Sequence, residues 1–250
     1  MAVSVNTVYQ KVLALANKEQ RGYITPQEFN LFADHAQKEI FEQYFYDVNQ
    51  FKRIPGNNTD YSDMINNLEE KISLFEVYNK QVDVNNTFGG VDLGTEIPDL
   101  YRLGMVRVRY NMQDSRIAEE IQLKDLPLYG DSALTRWSKK RPVYTRYNTD
   151  VDRIDRLRLY PAPSNDNTVD RVLVSYVRKP LPPKWGYVVV NNKALYNGSA
   201  ADLQDFELHA SEESELVYRI LFMAGVAIEK PQISQFAAQS QSAAVQQEKQ

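Results

Sequence analysis

The sequence predicts an α+β protein that has helices at both ends and an antiparallel β-sheet, or a small β-sandwich, between them. The prediction depends on two changes in hydrophobic period. Apolar residues recur every three or four positions up to about Phe75, alternate between about Val77 and Tyr196, and return to helical spacing after Ser211. Several short strands at close spacing favour an antiparallel sheet over a parallel α/β sheet. Within one compact domain we expect a helical region (1–80), an antiparallel β region (81–200) and a C-terminal helix with a docking tail (201–250).

The N-terminal region contains signals for three helices. The first, over residues 5–16, is short and amphipathic. The second has a strong start signal, because Thr25 suits the N-cap, Pro26 suits the first helical position and Glu28 completes a capping box. A third helical segment is expected over about 62–75. The apolar stripe of the second helix, which must be covered to be stable in water, consists of Phe29, Phe32, Ala33, Ala36, Ile40, Phe41, Tyr44, Phe45 and Val48.

The central region alternates apolar and polar residues between clusters of turn-forming residues. The expected strands are 102–110, 154–160, 169–179 and 187–190. A turn at 111–115 leads from the first of these to a further short strand. The turn at 161–167, rich in Pro and Asn, is expected to join the second and third strands into a hairpin. In the third strand Val172, Val174 and Tyr176 fall on one face.

The C-terminal region begins with a second helix start. Ser211 suits an N-cap, and Glu212 and Glu213 place acids in the first turn, where the helix dipole favours them. Pro231 stops or kinks this helix. The glutamine-rich stretch that follows has little apolar area, so it predicts an arm that becomes ordered on docking. The apolar residues expected to dock are Ile233, Phe236 and Val245.

Composition excludes several classes of site. The 250 residues contain no cysteine, which rules out disulfide scaffolds, cysteine-ligated zinc, iron–sulfur clusters and a thiol nucleophile. The two histidines, His35 and His209, are not spaced as a metal-binding pair. No apolar run approaches the roughly 20 residues of a membrane helix. The first residues have neither a basic region nor an apolar block, so we expect a soluble chain without a secretory signal.

Two stretches resemble cation sites and are rejected. The segment 17–28 places Gly22 and Glu28 where a calcium-binding EF-hand loop needs them, but Asn17 occupies the first position and the cation Arg21 the fifth. Glu28 is also used by the capping box.

The aspartates at 150, 152 and 155 could hold a divalent cation, although a solvated turn before a strand explains them better. No G-x-S-x-G, Walker A or G-x-G-x-x-G motif occurs. We therefore predict no catalytic residue, no metal site and no cofactor. A hydrolase that uses a pair of carboxylates remains the weakest alternative, because such a pair has no sequence signature.

Charge is unevenly distributed along the chain. Residues 101–179 contain 16 Lys and Arg against 10 Asp and Glu, whereas the preceding residues contain 8 against 15 and the following residues 5 against 8. Twelve of the sixteen central cations are arginine, the side chain suited to planar, bidentate pairing at interfaces. Such a basic centre could meet a polyanion or the acidic part of a neighbouring copy.

A single-strand nucleic-acid-binding accessory protein is the main alternative from a different class. Arginines on the predicted strands alternate with tyrosines that could stack on bases, namely Tyr101, Tyr110, Tyr160 and Tyr176. The isoelectric point near 5.4 and the acidic flanks count against it, since dedicated binding domains are usually basic.

Three stretches of the chain resemble the head-to-tail connector (adaptor, ring or neck) proteins of short-tailed bacteriophages. The first, Val91–Leu93 followed by Ile97–Val106, resembles their entry strand, with a Pro-Asp turn that runs into a Tyr-Arg-Leu segment. Arg158–Pro163 with Val172–Pro180 is similar to their hairpin that ends in a strand with Tyr, Arg and Pro. Phe206–Leu208 before the helix at Glu215–Glu229 resembles their closing element. The N-terminal helices are most similar to structural proteins of crAss-like phages.

The resemblance implies a virion structural protein, not an enzyme, located at the head–tail junction and assembled in the host cytoplasm. Such proteins form a closed ring, here of about twelve copies, that seals the portal outlet, provides a platform for tail assembly and conducts double-stranded DNA. The implied partners are further copies of this chain, the portal protein and other neck or tail rings, with no membrane involved. The residues expected at the subunit interface are Arg107, Arg109, Arg156, Arg158, Tyr160, Arg171 and Tyr176.

Overall fold

A computed structural model describes residues 3–17, 24–53, 59–85, 89–148, 155–164, 169–191 and 193–227, together with the isolated positions 235, 238, 239 and 242. The chain divides into two compact units. The helical unit is formed by residues 1–74 and 180–250, and the β unit by residues 75–179. The predicted α+β class, with helices at both ends, is confirmed.

The elements follow one another in this order. The helices are α1 (Val5–Asn17), α2 (Pro26–Arg53), α3 (Thr59–Ser73), α4 (Leu93–Glu96), α5 (Leu126–Asp131) and α6 (Glu213–Ala227), the last preceded by a 3-10 turn (Ala210–Glu212). The strands are β1 (Glu76–Val82), β2 (Gly90–Asp92), β3 (Leu100–Arg109), β4 (Arg116–Ile117), β5 (Glu119–Glu120), β6 (Val143–Asn148), β7 (Asp155–Tyr160), β8 (Arg171–Arg178), β9 (Tyr187–Val190) and β10 (Lys193–Tyr196).

Helix α2 begins with the predicted capping box. The Glu28 carboxylate accepts hydrogen bonds from the Thr25 backbone N–H at 2.9 Å and from its hydroxyl at 2.8 Å. The Glu28 N–H donates in return to the Thr25 hydroxyl at 3.3 Å. The bonds from Thr25 lower the pKa of Glu28. Two N–H groups at the start of α2 are thereby satisfied, which explains why the helix begins at Pro26.

The core of the helical unit is formed where α1 and α2 pack against α6. The predicted stripe of α2 is confirmed, since its central residues are fully buried; they are Phe29, Ala33, Ala36, Ile40, Phe41 and Tyr44. Helix α6 packs against α1 and α2 and buries Leu216, Val217, Ile220 and Leu221. Burial of each large apolar side chain contributes about 1.5–3 kcal/mol, so this core stabilises the unit.

Buried polar groups fix how the chain re-enters the helical unit after residue 179. Gln37, on α2, is fully buried. Its amide donates to the Leu181 carbonyl at 2.7 Å and accepts from the Glu207 N–H at 3.1 Å. A buried amide must be hydrogen-bonded to be tolerated. The segments that contain Leu181 and Glu207 are therefore both held against α2 at the position of Gln37.

The β unit is a small sandwich of two four-stranded sheets. The first sheet has the strand order β1-β8-β3-β4 and is antiparallel throughout. The second has the order β2-β7-β6-β5, in which β5 runs parallel to β6 and the other pairs are antiparallel. A single apolar layer is shared by both sheets, and its members include Val91, Val106, Val108, Leu157, Leu159, Val172 and Val174.

The predicted hairpin between the strands before and after residues 161–167 is wrong. Strand β7 pairs with β2 and β6, whereas β8 pairs with β1 and β3, so the two strands lie in different sheets. The physical reason is that the apolar faces of both strands must reach the same buried layer. In a sandwich that layer lies between the sheets, and the chain crosses from one sheet to the other.

The compact units divide the chain at different places from the three predicted regions. Strand β1 begins at Glu76, inside the segment expected to be helical, and belongs to the β unit. The hairpin of β9 and β10 belongs to the helical unit although its sequence is strand-like. The predicted docking residues Ile233, Phe236 and Val245 lie outside the described residues.

Replacing Thr25 by Ala tests the capping box. Thr25→Ala removes the hydroxyl that accepts from the Glu28 N–H, so we expect the helical unit to lose about 1 kcal/mol of unfolding free energy. Urea unfolding followed by Trp185 fluorescence in a Trp137→Phe background reports on this unit alone, because the two tryptophans lie in different units. Thr25→Ser is the control and should remain within a few tenths of a kcal/mol. Equal midpoints for Thr25→Ala and its parent would contradict the assignment.

Candidate functional site

The outward side of the first sheet combines arginines with exposed apolar side chains. Residues opposite each other in adjacent antiparallel strands share a face, and β8 buries Val172, Val174 and Tyr176 on the other side. The residues of β8 that alternate with these three point outward. The residues of β3 that pair with them point outward as well. We call this surface the cationic face and define it by Tyr78, Arg102, Met105, Arg107, Arg109, Ile117, Arg171 and Leu173.

Three of the seven predicted interface residues come together on the cationic face. Arg107 lies opposite Leu173, and Arg109 lies directly opposite Arg171. The Arg107 guanidinium donates to the Tyr78 hydroxyl at 3.2 Å, while its Nε is buried without a hydrogen bond among the described residues. Like charges placed directly across a strand pair are destabilising. The three arginines therefore concentrate positive charge on this part of the face.

The apolar members of the cationic face are exposed. Tyr78 is 70% exposed, Ile117 58% and Met105 38%. The described strands place one carboxylate on this face, Glu76 at its edge opposite Val177. Arg, Tyr and Met are the residues enriched at protein interfaces, in contrast to the Lys and Glu of ordinary surface.

The predicted residues Arg156, Arg158 and Tyr160 lie on the second sheet, not on the cationic face. They occupy the face of β7 opposite the buried Leu157 and Leu159. Arg156 approaches Asp92 at 3.6 Å, and the Arg158 guanidinium lies 5.4 Å from the centre of the Tyr160 ring. These three side chains therefore interact with groups of their own unit.

Tyr176 corrects the prediction in a different way, because its side chain belongs to the core. It is 4% exposed, and its hydroxyl donates to the Asp99 carboxylate at 3.1 Å. Burial, with the nearby Asp99 charge, raises the pKa of Tyr176 to about 12. Tyr110 is likewise buried and donates to the Pro161 carbonyl at 2.6 Å. Two of the four tyrosines expected to form a stacking surface are thus unavailable to a ligand.

A second exposed apolar surface occurs on the hairpin of β9 and β10 in the helical unit. Val189 is 61% exposed, Leu195 54%, Val188 48% and Val190 47%. The two strands pair only with each other among the described strands. The sequence predicted β9, but it could not show that Val188, Val189 and Val190 would remain exposed.

Trp185 holds this hairpin on the helices. Its backbone N–H donates to Asn30 at 2.8 Å and its indole N–H donates to Asn6 at 3.1 Å. The cross-strand pair Tyr187 and Tyr196 stacks on the indole, with ring centres at 5.8 and 5.9 Å. These contacts fasten the base of the hairpin to α1 and α2.

The described residues contain no cluster suited to metal binding. Among them no three His, Asp or Glu side chains are grouped so that they could hold a metal ion. Asp155 forms an ion pair with Arg146, while Asp150 and Asp152 lie outside the described residues. Of the EF-hand-like segment, Glu28 is engaged in the capping box and residues 18–23 are not described.

No protein-family model matches the chain, and no curated protein does so. None of the described helices has the length and apolarity that crossing a bilayer requires.

Replacing Tyr176 by Phe tests its place in the core. Loss of the bond to Asp99 should lower the unfolding free energy at neutral pH by about 1 kcal/mol. In the unfolded chain the Tyr176 phenol titrates near pH 10, below its folded pKa of about 12. The wild type therefore loses stability as pH rises through this interval, because only the unfolded state readily releases the proton.

Tyr176→Phe should show a shallower fall between pH 9 and 12 in chemical unfolding followed by circular dichroism. Tyr101→Phe, at an exposed position of the same sheet, is the control and should keep the wild-type slope. An unchanged slope in Tyr176→Phe would show that the phenol is not buried.

Proposed function

We propose that this chain is a structural protein of a bacteriophage particle. In this proposal it forms a ring between the portal and the tail, seals the channel, carries the platform for tail assembly and lets double-stranded DNA pass. The observation that carries the proposal is the cationic face, which has the composition of an interface core on a rigid sheet. The sequence resemblance to head-to-tail connectors supplies the biological setting.

Charge complementarity supports another copy of the chain as the partner of this face. The helical unit contains 12 Lys and Arg against 18 Asp and Glu, a net charge of −6. The β unit contains 17 against 15, a net charge of +2. Exposed carboxylates on α2 and α3 include Glu42, Glu69 and Glu70. We infer that acids of one copy's helices meet the cationic face of the next copy.

Such a contact joins two different patches, and this favours a ring. Contacts between unlike patches build closed rings when the rotation between copies closes, whereas a contact of a patch with itself stops at a dimer. The opposing charges also fix the register of neighbouring copies and suppress wrong pairings.

The hairpin supports assembly by a separate observation. An uncharged, open strand edge invites pairing, so natural proteins usually protect it with charge, a bulge or short length. Strand β1 has a bulge next to Asn79, where φ is 53°, and β5 consists of Glu119 and Glu120. Strand β9, with the sequence Tyr-Val-Val-Val, is short but carries neither a charge nor a bulge. We infer that the adjoining copy covers it.

The nucleic-acid alternative retains little of the stacking surface that the sequence predicted for it. Tyrosines beside the arginines would have to stack on bases, but Tyr110 and Tyr176 are buried, and Tyr160 packs against Trp137 at 5.2 Å on the second sheet. The exposed Tyr78 on the cationic face is hydrogen-bonded to Arg107. The described residues therefore favour protein contact over base stacking at the cationic face.

Reversing two exposed arginines tests the proposed subunit contact. Arg102→Glu/Arg171→Glu places acids at both ends of the cationic face, where they repel the acidic helices of the next copy. We expect wild-type protein to form rings in electron microscopy and oligomers in light scattering at high concentration, and the variant to remain monomeric. High salt should weaken the wild-type oligomers, because exposed charge pairs are screened.

Lys124→Glu/Arg136→Glu is the matched control, since it changes charge equally at exposed positions of the β unit outside the cationic face. It should assemble as the wild type does. Wild-type protein that stays monomeric at every concentration and salt, or equal loss in both variants, would overturn the proposed contact.

A charge on the hairpin tests its role separately. Val189→Lys should leave the fold intact, because the side chain is 61% exposed, and should reduce oligomer formation by placing a cation in the covered edge. Leu134→Lys, at a leucine that is 92% exposed in the β unit, introduces the same charge elsewhere. Sedimentation measures the assembly of both variants. If the two assembled to the same extent, the proposed role of the hairpin would be contradicted.

A further inference from the structure

A polar cleft of about 320 Å³ opens in the β unit between two turns. One wall is the turn after β3, and the other is the turn that contains Lys139 and Lys140. The side chains that line it include Tyr110, Gln113, Asp114, Arg116, Lys139 and Lys140. None of the interface residues discussed above lines this cleft, so it is a separate site.

The wall after β3 is held by the buried carboxylate of Asp170. Asn111 and Met112 both have left-handed backbone, with φ of 49° and 57°, which turns the chain sharply. The Asn111 N–H donates to Asp170 at 2.7 Å, and the Met112 N–H donates to the Val169 carbonyl at 2.9 Å. The second oxygen of Asp170 accepts from the Ser164 N–H at 2.7 Å. This wall is therefore fixed before any ligand arrives.

The opposite wall is a closed turn. Ser138 and Arg141 exchange backbone hydrogen bonds at 3.1 and 3.0 Å, so Lys139 and Lys140 form its tip. The Arg141 guanidinium pairs with Glu119 at 2.9 Å, which ties the turn to β5. The Lys139 ammonium lies 5.9 Å from the centre of the Tyr110 ring, within the range of a cation–π contact.

Three cations converge on the cleft. Arg116, Lys139 and Lys140 form no ion pair with any described residue, and Asp114 is the one carboxylate in the lining. Two other cations of the unit are neutralised locally, Arg141 by Glu119 and Arg146 by Asp155. Gathering unpaired like charges around a cavity costs electrostatic energy, which a bound anion would recover.

We propose that this cleft binds a phosphate group. A guanidinium and two ammonium groups on two fixed walls match a tetrahedral anion that has several acceptor oxygens, and the Gln113 amide adds a neutral donor. The polar lining does not suit an apolar ligand, which takes a mainly hydrophobic pocket. The phosphate has two possible sources, a free anion or the backbone of a nucleic acid, and both present the same oxygens.

The experiment measures binding of two probes to the full chain at low salt. Inorganic phosphate is titrated by calorimetry, and a fluorescent DNA duplex of arbitrary sequence is titrated by anisotropy over a range of salt concentrations. Lys139→Gln/Lys140→Gln removes two cations from the cleft, and Lys124→Gln/Arg136→Gln removes two exposed cations elsewhere. Circular dichroism verifies that both variants are folded.

We expect wild-type protein to bind at least one probe and the cleft variant to bind it at least about tenfold more weakly, while the control stays within about twofold. If the ligand is a nucleic-acid backbone, the duplex binds and the salt slope falls by about two in the cleft variant. If it is a free anion, inorganic phosphate binds and the duplex does not. No binding of either probe, or equal weakening in both variants, overturns the proposal. Assembly and anion binding are measured in separate experiments. The proposed function and the proposed phosphate site can therefore fail independently of each other.

Discussion

The β unit depends on a single buried apolar layer between its two sheets. Val106 and Val108 enter that layer from the first sheet, and Leu157 and Leu159 enter it from the second. Because side chains alternate along a strand, burying these residues sends their neighbours outward. The arginines of β3 are therefore displayed by the same constraint that stabilises the fold. A shift of one residue in register would bury the arginines and expose the valines, at a cost that no surface contact could offset.

In the helical unit, buried polar groups add to the apolar core and fix how its helices are positioned. Arg219, on α6, is largely buried and donates to Glu215 on its own helix and to Glu39 and Gln43 on α2. Such a network is tolerated only when every member is satisfied, and breaking it by removing one partner is costly. Together with the bonds of Gln37 it fixes the relative position of α2 and α6. This rigidity allows the Trp185 anchor to present the hairpin of β9 and β10 as a defined element.

The surfaces that the two units present share a physical character. The cationic face and the hairpin both lie on hydrogen-bonded strands and both carry exposed apolar side chains. Surfaces built on regular structure favour association, because little conformational entropy is lost when a partner binds. The cleft between the turns differs from them, since its cations surround a cavity that would hold a small, highly charged group.

Local patterns in the sequence determined the elements. The capping residues Thr25 and Glu28 located the start of α2, and the alternation around Val172 and Val174 predicted β8 and its buried face, because capping and amphipathicity depend on neighbours in the chain. Tertiary structure decided which strands pair, and hence that Arg109 lies opposite Arg171 while Arg156 lies on another sheet. It also decided that Tyr176 is core. Strand pairing and burial depend on residues distant in sequence, so an isolated strand pattern predicts two faces but not what covers each.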